Sequence, residues 1–344
     1  MLKVTKNTKV FVYCPTNAVT GGAELLHQLV DVLNSNNLNA FIVYYGEGDF
    51  KIPDAYKMYN IQLADTVEDN FNNIVVFYEA VFDKIQLVKY SQKCLWWLSV
   101  DNFFICSFRH LIIKDLFRYN FSFGAKMTLV RIYEFFFKGK NSFRNNISIN
   151  SLINLNAVNA YQSEYAQNFL INNGFKETYA LSDYINTNFY SGFSVSNRED
   201  IILYNPKKGL NFTKKIISKA QQFIWVPVEN MTRSQLIEMF NKSKLYIDFG
   251  YHPGKDRLPR EVVLNGCCVI TGTKGSARFF EDVPIESFYK FDQNKDSLNS
   301  IIDRIQYSLT NYESDVSNFD YYRNQILQEK ELFVKQVKKL FSIK

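Results

Sequence analysis

The chain has 344 residues, 47% of them hydrophobic, and a formal net charge of +6 from 40 basic and 34 acidic side chains. That length predicts two domains of ordinary size, and that apolar fraction excludes intrinsic disorder. The small positive excess suits a nucleoside-diphosphate ligand or peripheral contact with an anionic membrane, and is too weak to imply nucleic-acid binding.

In chain order, short apolar runs alternate with amphipathic stretches, the pattern of parallel α/β sheets. Lys9–Cys14 reads as a first strand and Gly22 to Asn34 as the helix after it. Strands follow at Asn39–Tyr45, Asn73–Tyr78, Lys93–Val100 and Ala157–Tyr161. Ser163 is expected to cap a helix running to Asn172, ahead of Asn173-Gly174. Periodicity fades between Leu181 and Asp200, the natural domain boundary. A second series then runs through strand Ile201–Tyr204, a helix from Leu210, strand Phe223–Val226, a helix from Ser234 and strand Lys244–Phe249. It continues with a helix around Arg260–Asn265, strand Cys267–Thr271 and a short strand near Phe288–Phe291. From Lys295 the chain reads as helical almost to its end.

The expected architecture is therefore α/β, with two Rossmann-like doubly wound domains facing a central cleft. Residues 1–185 form the first, 186–320 the second, and 321–344 a terminal helix crossing back to the first domain. Ligands of such sheets sit at the carboxyl ends of the strands.

Cys14, Cys94, Cys106, Cys267 and Cys268 follow no CxxC spacing and read as buried thiols in a reducing compartment. His27, His110 and His252 are far apart, so no metal site is expected. The first apolar run, Val10–Cys14, is too short for a signal-peptide core. The apolar region Phe103–Phe137 is interrupted by charges before it reaches the roughly 20 residues a spanning helix needs. A cytoplasmic protein is expected, able to sit peripherally at the inner face of the plasma membrane.

Three constellations could carry chemistry. Thr20-Gly21-Gly22-Ala23-Glu24 opens a helix directly after the first strand, where glycines admit a ligand to free N–H groups. Its spacing is not G-x-G-x-x-G, and a ligand-free tight turn accounts for it equally well. Tyr204-Asn205-Pro206-Lys207-Lys208-Gly209 places two lysines at a strand end, suited to a diphosphate whose charge grows as it departs. A solvated lysine pair is the plain alternative. The densest stretch, Asp248 to Glu261, sets Lys255, Arg257, Arg260 and Glu261 on a loop constrained by glycines and prolines. Such charge either meets a charged ligand or forms a structural ion-pair cluster, and Arg260 either contacts that ligand or braces the loop.

These residues resemble the group-one family of retaining GT-B glycosyltransferases. Gly21-Gly22-Ala23-Glu24 is similar to that family's glycine-rich acceptor-side loop. The run from Glu261 through Gly266 to Thr271 is similar to its nucleotide-cradling glutamate, helix, glycine and strand. The resemblance implies a nucleoside-diphosphate sugar as donor, a glycan or lipid-linked acceptor, and no cofactor or metal. It implies that Glu261 holds the donor ribose, that Lys207, Lys208 and Gly209 form the diphosphate loop with Lys255 and Arg257, and that Gly275 and Ser276 lie near the base or phosphates. Asp101 falls where the family lines its cleft with polar groups, so it stands with Lys208 and Arg257 as a catalytic candidate. Gly21, Gly22, Glu24 and His110 are the acceptor-side candidates. The family commonly places a second glutamate eight positions before the ribose-binding one; here that position is Pro253, leaving Asp248, Asp256 or backbone groups for the role.

Phe103 to Lys140 interleaves aromatics with basic residues, as a membrane-surface helix or lipid-acceptor site would. Burial in the first domain's core is the alternative for those aromatics. The implied function is sugar transfer in surface polysaccharide or lipopolysaccharide assembly. Its rivals are a non-catalytic GT-B-like binder and another nucleotide-sugar enzyme such as an epimerase.

Overall fold

The computed structural model describes residues 1–106, 129, 147–186, 190 and 192–343. The chain divides into two compact units. One comprises Met1–Gln162, Ala166–Asp183 and Phe333–Lys344, the other Ser163–Tyr165 and Tyr184–Leu332.

The first unit is built on seven described strands: β1 (Lys9–Pro15), β2 (Asn39–Tyr45), β3 (Gln62–Leu63), β4 (Ile74–Tyr78), β5 (Gln92–Trp97), β6 (Ala157–Tyr161) and β7 (Thr178–Ala180). Their order is β3-β2-β1-β4-β5-β6-β7, every pair parallel. Ile74 to Phe77 are fully buried, as strands covered on both faces by helices must be. Helix α1 (Gly21–Ser35) follows β1 and buries Leu25, Leu26, Leu29, Val30 and Leu33 on its inner stripe.

The strand expected over Lys93–Val100 stops at Trp97, and Val100 opens helix α2 (Val100–Cys106) instead. Two polar groups make that turn. Glu79, fully buried at the end of β4, accepts the Leu98 N–H at 3.0 Å, and Ser99 Oγ caps the helix by accepting from Asn102 N at 3.2 Å. Trp97 packs between Phe82, Phe103, Phe169 and Phe175 at centroid distances of 4.9 to 5.7 Å. Phe103 and Phe104 are thus core residues. Of the Phe103–Lys140 stretch, all else but Leu129 and residues 105–106 lies outside the described residues.

The helix expected after Ala157–Tyr161 is α4 (Glu164–Asn172), preceded by the short α3 (Ile149–Ile153). The N–H groups of Glu164 and Tyr165 are taken by the carboxylate of Asp282, at 2.8 and 3.0 Å. That carboxylate comes from 118 residues away, a contribution to this helix start that local pattern could not show.

The second unit holds β8 (Glu199–Tyr204), β9 (Ile224–Pro227), β10 (Ser243–Asp248), β11 (Cys268–Gly272) and β12 (Lys290–Phe291). Their order is β12-β11-β10-β8-β9, again all parallel. Helices α5 (Leu210–Lys219), α6 (Arg233–Lys242), α7 (Arg257–Leu264) and α8 (Leu298–Thr310) connect and cover them. Leu245, Tyr246 and Ile247 of β10 and Val269 and Ile270 of β11 are fully buried with Val262 and Val263 of α7. Helix α7 starts at Arg257, earlier than the pattern suggested, and places Pro259 in its first turn, where the missing N–H costs no helical bond.

After the short α9 (Tyr312–Asp315), helix α10 (Asp320–Leu340) begins in the second unit and ends in the first. Within the first unit its end is fastened by Phe333 stacked on Trp96, by Gln336 Oε1 accepting from Ser182 N at 2.7 Å, and by Leu2 N donating to Leu340 O at 3.1 Å. No helix of the described residues is long and apolar enough to cross a membrane.

Candidate functional site

In the second sheet the connection from β8 runs outward to β9, and the chain then returns across to β10 on the other side. This reversal is a topological switch point, where connecting loops splay apart and leave a crevice at the carboxyl ends of the strands. The loops after β8, β10 and β11 carry most of the sequence-predicted donor residues, and the structure brings them into contact.

The β8 loop is set by Asn205, whose Oδ1 accepts from Lys207 N at 3.0 Å in a side-chain turn. Gly209 then adopts φ 66° as the residue capping α5, and no side chain caps that helix end. A Cβ on Gly209 would collide with the Phe249 carbonyl, and one on Gly250 with Lys208 Cβ. The two loops therefore lie backbone against backbone, with glycine required on both sides.

The β10 loop is organised by Asp248, fully buried at the strand's end. Its carboxylate accepts from Tyr246 Oη and Gly250 N, both at 2.8 Å, and from Asn205 Nδ2 at 3.3 Å. Although burial raises its pKa, the neighbouring His252 above all, and then the bonds from Tyr246 and Gly250, hold it well below the usual range. The β11 loop straps the β10 loop down. Ser276 N donates to His252 O at 2.8 Å, Ser276 Oγ donates to Gly254 O at 2.6 Å, and Gly275, at φ 66°, leaves no room for a Cβ against His252.

The cations divide into two sets. Lys207 is exposed, and Lys208 Nζ meets Asp256 Oδ2 at 2.6 Å with the lysine side chain about a third exposed. Arg257 Nε lies 3.4 Å from Glu261 Oε1, one helical turn on. The other set is tied to Glu329. Arg260 is fully buried, donating to Glu329 Oε2 at 2.9 Å, Lys255 O at 3.0 Å and Asp256 O at 3.2 Å. Lys255 Nζ sits on the other oxygen of Glu329 at 2.7 Å.

Arg260 thus braces the loop, the second of its two expected roles, because its guanidinium is fully buried among protein groups. Lys255 and Ser276 also have polar atoms that hold the β10 loop in shape. Asp101 departs from its expected place. It lies fully buried in the first turn of α2, one turn past the strand end where it was expected.

His252 and Glu329 were missed. Glu329 lies on α10, 69 residues from Arg260, and no local pattern marks it. His252 carried a signal, the spacing Asp248-x3-His252-x3-Asp256. Its Nε2 faces Asp248 Oδ1 and its Nδ1 faces Asp256 Oδ2, each at 3.6 Å, ion-pair separations just beyond a hydrogen bond. Donor atoms of the three residues lie within 4.8 Å of one another, the one such group among the described residues. The two ring nitrogens face different carboxylates, and Asp256 is also paired with Lys208, so a protonated ring would lie between two anions. Burial lowers the His252 pKa, but Asp248 and Asp256 together outweigh it and raise it.

In the first unit, Gly21 and Gly22 form the first turn of α1, with Thr20 Oγ1 accepting from Ala23 N at 3.3 Å. A Cβ on Gly22 would meet nothing within 4 Å, so the space over this helix end is open. Glu24 accepts from Tyr59 Oη at 2.7 Å, and His110 lies outside the described residues.

No protein-family model matches the chain, and no curated sequence is similar to it. Solved structures are. Sucrose-phosphate synthase from Thermosynechococcus elongatus is 10% identical with a TM-score of 0.64, over 97% of this chain and 98% of that one. HepE of Anabaena, in complex with UDP-glucose, is 10% identical with a TM-score of 0.61, over 97% and 99%. WaaG, a glycosyltransferase involved in lipopolysaccharide biosynthesis, is 8% identical with a TM-score of 0.52, over 96% and 99%. The chain has the fold of these proteins, the two-domain Rossmann-like architecture of GT-B glycosyltransferases.

Proposed function

We propose that the chain is a glycosyltransferase that moves a sugar from a nucleoside-diphosphate sugar to a glycan or lipid-linked acceptor, with retention at the anomeric carbon. The observation that carries the reading is the β8 loop at the switch point. Lys207, Lys208 and the uncapped start of α5 stand together where a departing diphosphate needs positive charge and N–H donors. The UDP-glucose complex of HepE supports a nucleotide sugar as donor, and WaaG supports surface polysaccharide or lipopolysaccharide assembly as the setting.

In this reading the donor's diphosphate lies on Lys208 and Arg257, with Lys207 and the Gly209 backbone completing the cradle. Glu261 accepts from the ribose hydroxyls, and Gly275 lets the β11 loop approach the nucleotide. As the glycosidic bond breaks, the ammonium and guanidinium groups stabilise the growing charge on the leaving diphosphate. Gly21, Gly22 and Glu24 serve the acceptor. A second reading, a non-catalytic nucleotide-sugar binder, is favoured by Pro253 in the sugar-contacting position and by an Asp248 already held by three donors.

Thermal unfolding against UDP, GDP and ADP tests the donor site. One diphosphate should give a saturable rise in melting temperature that Lys208→Met and Glu261→Ala each abolish. No rise with any of the three up to millimolar concentration would overturn the reading. Binding without either transfer or slow hydrolysis of the matching sugar nucleotide would favour the non-catalytic alternative.

A further inference from the structure

The proposed diphosphate site leaves one group without a role. His252 is fully buried behind the β10 loop, between Asp248 on one edge of its ring and Asp256 on the other. Asp256 is the shared member. Its Oδ2 stands 3.6 Å from His252 Nδ1 inside and 2.6 Å from Lys208 Nζ outside, with its own side chain only 17% exposed.

That arrangement sets up a competition for one carboxylate. A diphosphate that draws the Lys208 ammonium toward itself weakens the hold of that ammonium on Asp256. A poorly solvated carboxylate resists losing its counter-ion. Asp248, the stronger partner of the ring, keeps Tyr246, Gly250 and Asn205 as donors besides it. An imidazolium at His252 therefore offers its charge where it is wanted, to Asp256, once Lys208 has gone.

We propose that His252 is a positioning residue for the diphosphate: as an imidazolium it takes over the charge of Asp256 and so releases the Lys208 ammonium to the bound anion. This rests on the donor-site reading and adds to it a coupling between anion binding and a proton held on the ring. The charged groups facing His252 are Asp248 from β10, Asp256 at the start of α7 and Lys208 from the β8 loop; Lys274, on the neighbouring β11 loop, turns its ammonium to Gln293 Oε1 at 2.7 Å. Burial opposes the charged ring and the two carboxylates favour it, with the net direction upward from 6.5. The two carboxylates thus favour the protonated ring, which loses its proton as pH rises. Diphosphate affinity should fall as it does.

The test is calorimetric titration of the full chain with UDP, GDP and ADP at pH 7, 8 and 9, in buffers of different ionisation enthalpy. For whichever diphosphate binds, affinity should weaken about tenfold from pH 7 to 9. Binding near the midpoint should take up a fraction of a proton. His252→Gln should bind weakly at all three values and show no proton uptake. Asp256→Asn, which frees Lys208 directly, should bind at pH 9 at least as tightly as the wild type does at pH 7, and this second variant keeps the test sound if His252→Gln folds poorly. A wild type whose affinity is flat with pH, while Lys208→Met abolishes binding, overturns the inference and leaves the donor site standing. No binding of any diphosphate at any pH removes both.

Discussion

Arg260 and Glu329 form an ion pair from which water is excluded. The guanidinium Nη1 lies 2.9 Å from Glu329 Oε2, with side-chain exposures of 0% and 4%. The pair ties the first turns of α7 to α10, and Arg260 also holds the carbonyls of Lys255 and Asp256, so the shape of the β10 loop depends on it. Glu329 in turn accepts from Ile185 N at 3.3 Å.

Removing one charge from such a pair leaves the other buried without full compensation. Arg260→Met should destabilise the protein by about 3 kcal/mol, measured by guanidinium chloride unfolding. Adding Glu329→Gln should cost less than the sum of the two single losses, because the pair is already broken, although Lys255 then loses its partner as well. Additive losses would mean that the two side chains do not act on each other.

Glycines in the site should differ sharply in what they tolerate. Gly275→Ala meets both a left-handed φ of 66° and a blocking His252 backbone, and should cost about 2 kcal/mol or more. Gly22→Ala enters open space at the start of a helix and should be neutral or stabilising by up to about 1 kcal/mol. Melting temperatures of the two variants, compared with wild type, decide the matter.

The described thiols should be inert in the native state. Cys14, Cys94, Cys267 and Cys268 are buried, and burial pushes those of Cys94 and Cys267 up to about 12. Iodoacetamide at pH 8 should leave these four unmodified in native protein and alkylate them in guanidinium chloride, as read by peptide mass spectrometry.

Asp282 gives a pH dependence of defined sign. Burial pushes its carboxyl up to about 6, against the opposing N–H bonds from Tyr165 and Glu164. The folded state therefore holds a proton that the unfolded chain releases near 3.8, so this group's contribution to stability falls as pH rises through that interval. Relative to Asp282→Asn, the wild type should lose on the order of 2–3 kcal/mol between pH 4 and 7, measured by urea unfolding across that range. A parallel pair of stability curves would exclude the assignment.

Much of the architecture could be read before any coordinates. Runs such as Lys244–Phe249 and Cys267–Thr271 are apolar throughout because parallel strands are buried on both faces, and that physical demand writes itself into residue type. Glycines at strand ends marked the β8 and β10 loops for a related reason: only glycine allows the backbone contact between Gly209 and Gly250. The boundary at Val100 was not legible. Trp97-Leu98-Ser99-Val100 is apolar enough to continue a strand, and what stops it is a carboxylate on Glu79, supplied by the neighbouring strand.

The donor loops show the same division more sharply. Residue type and position along the chain determined that Lys208, Lys255, Arg257, Arg260 and Glu261 share one end of one sheet, because local periodicity fixes where strands end. Which of those charges faces inward was decided by tertiary structure alone. Glu329, Asp282 and His252 acquire their partners when distant segments pack, and a buried charge takes the nearest compensating group irrespective of its distance along the chain. Sequence pattern records the period of an element; it does not record which side chain will be waiting across the fold.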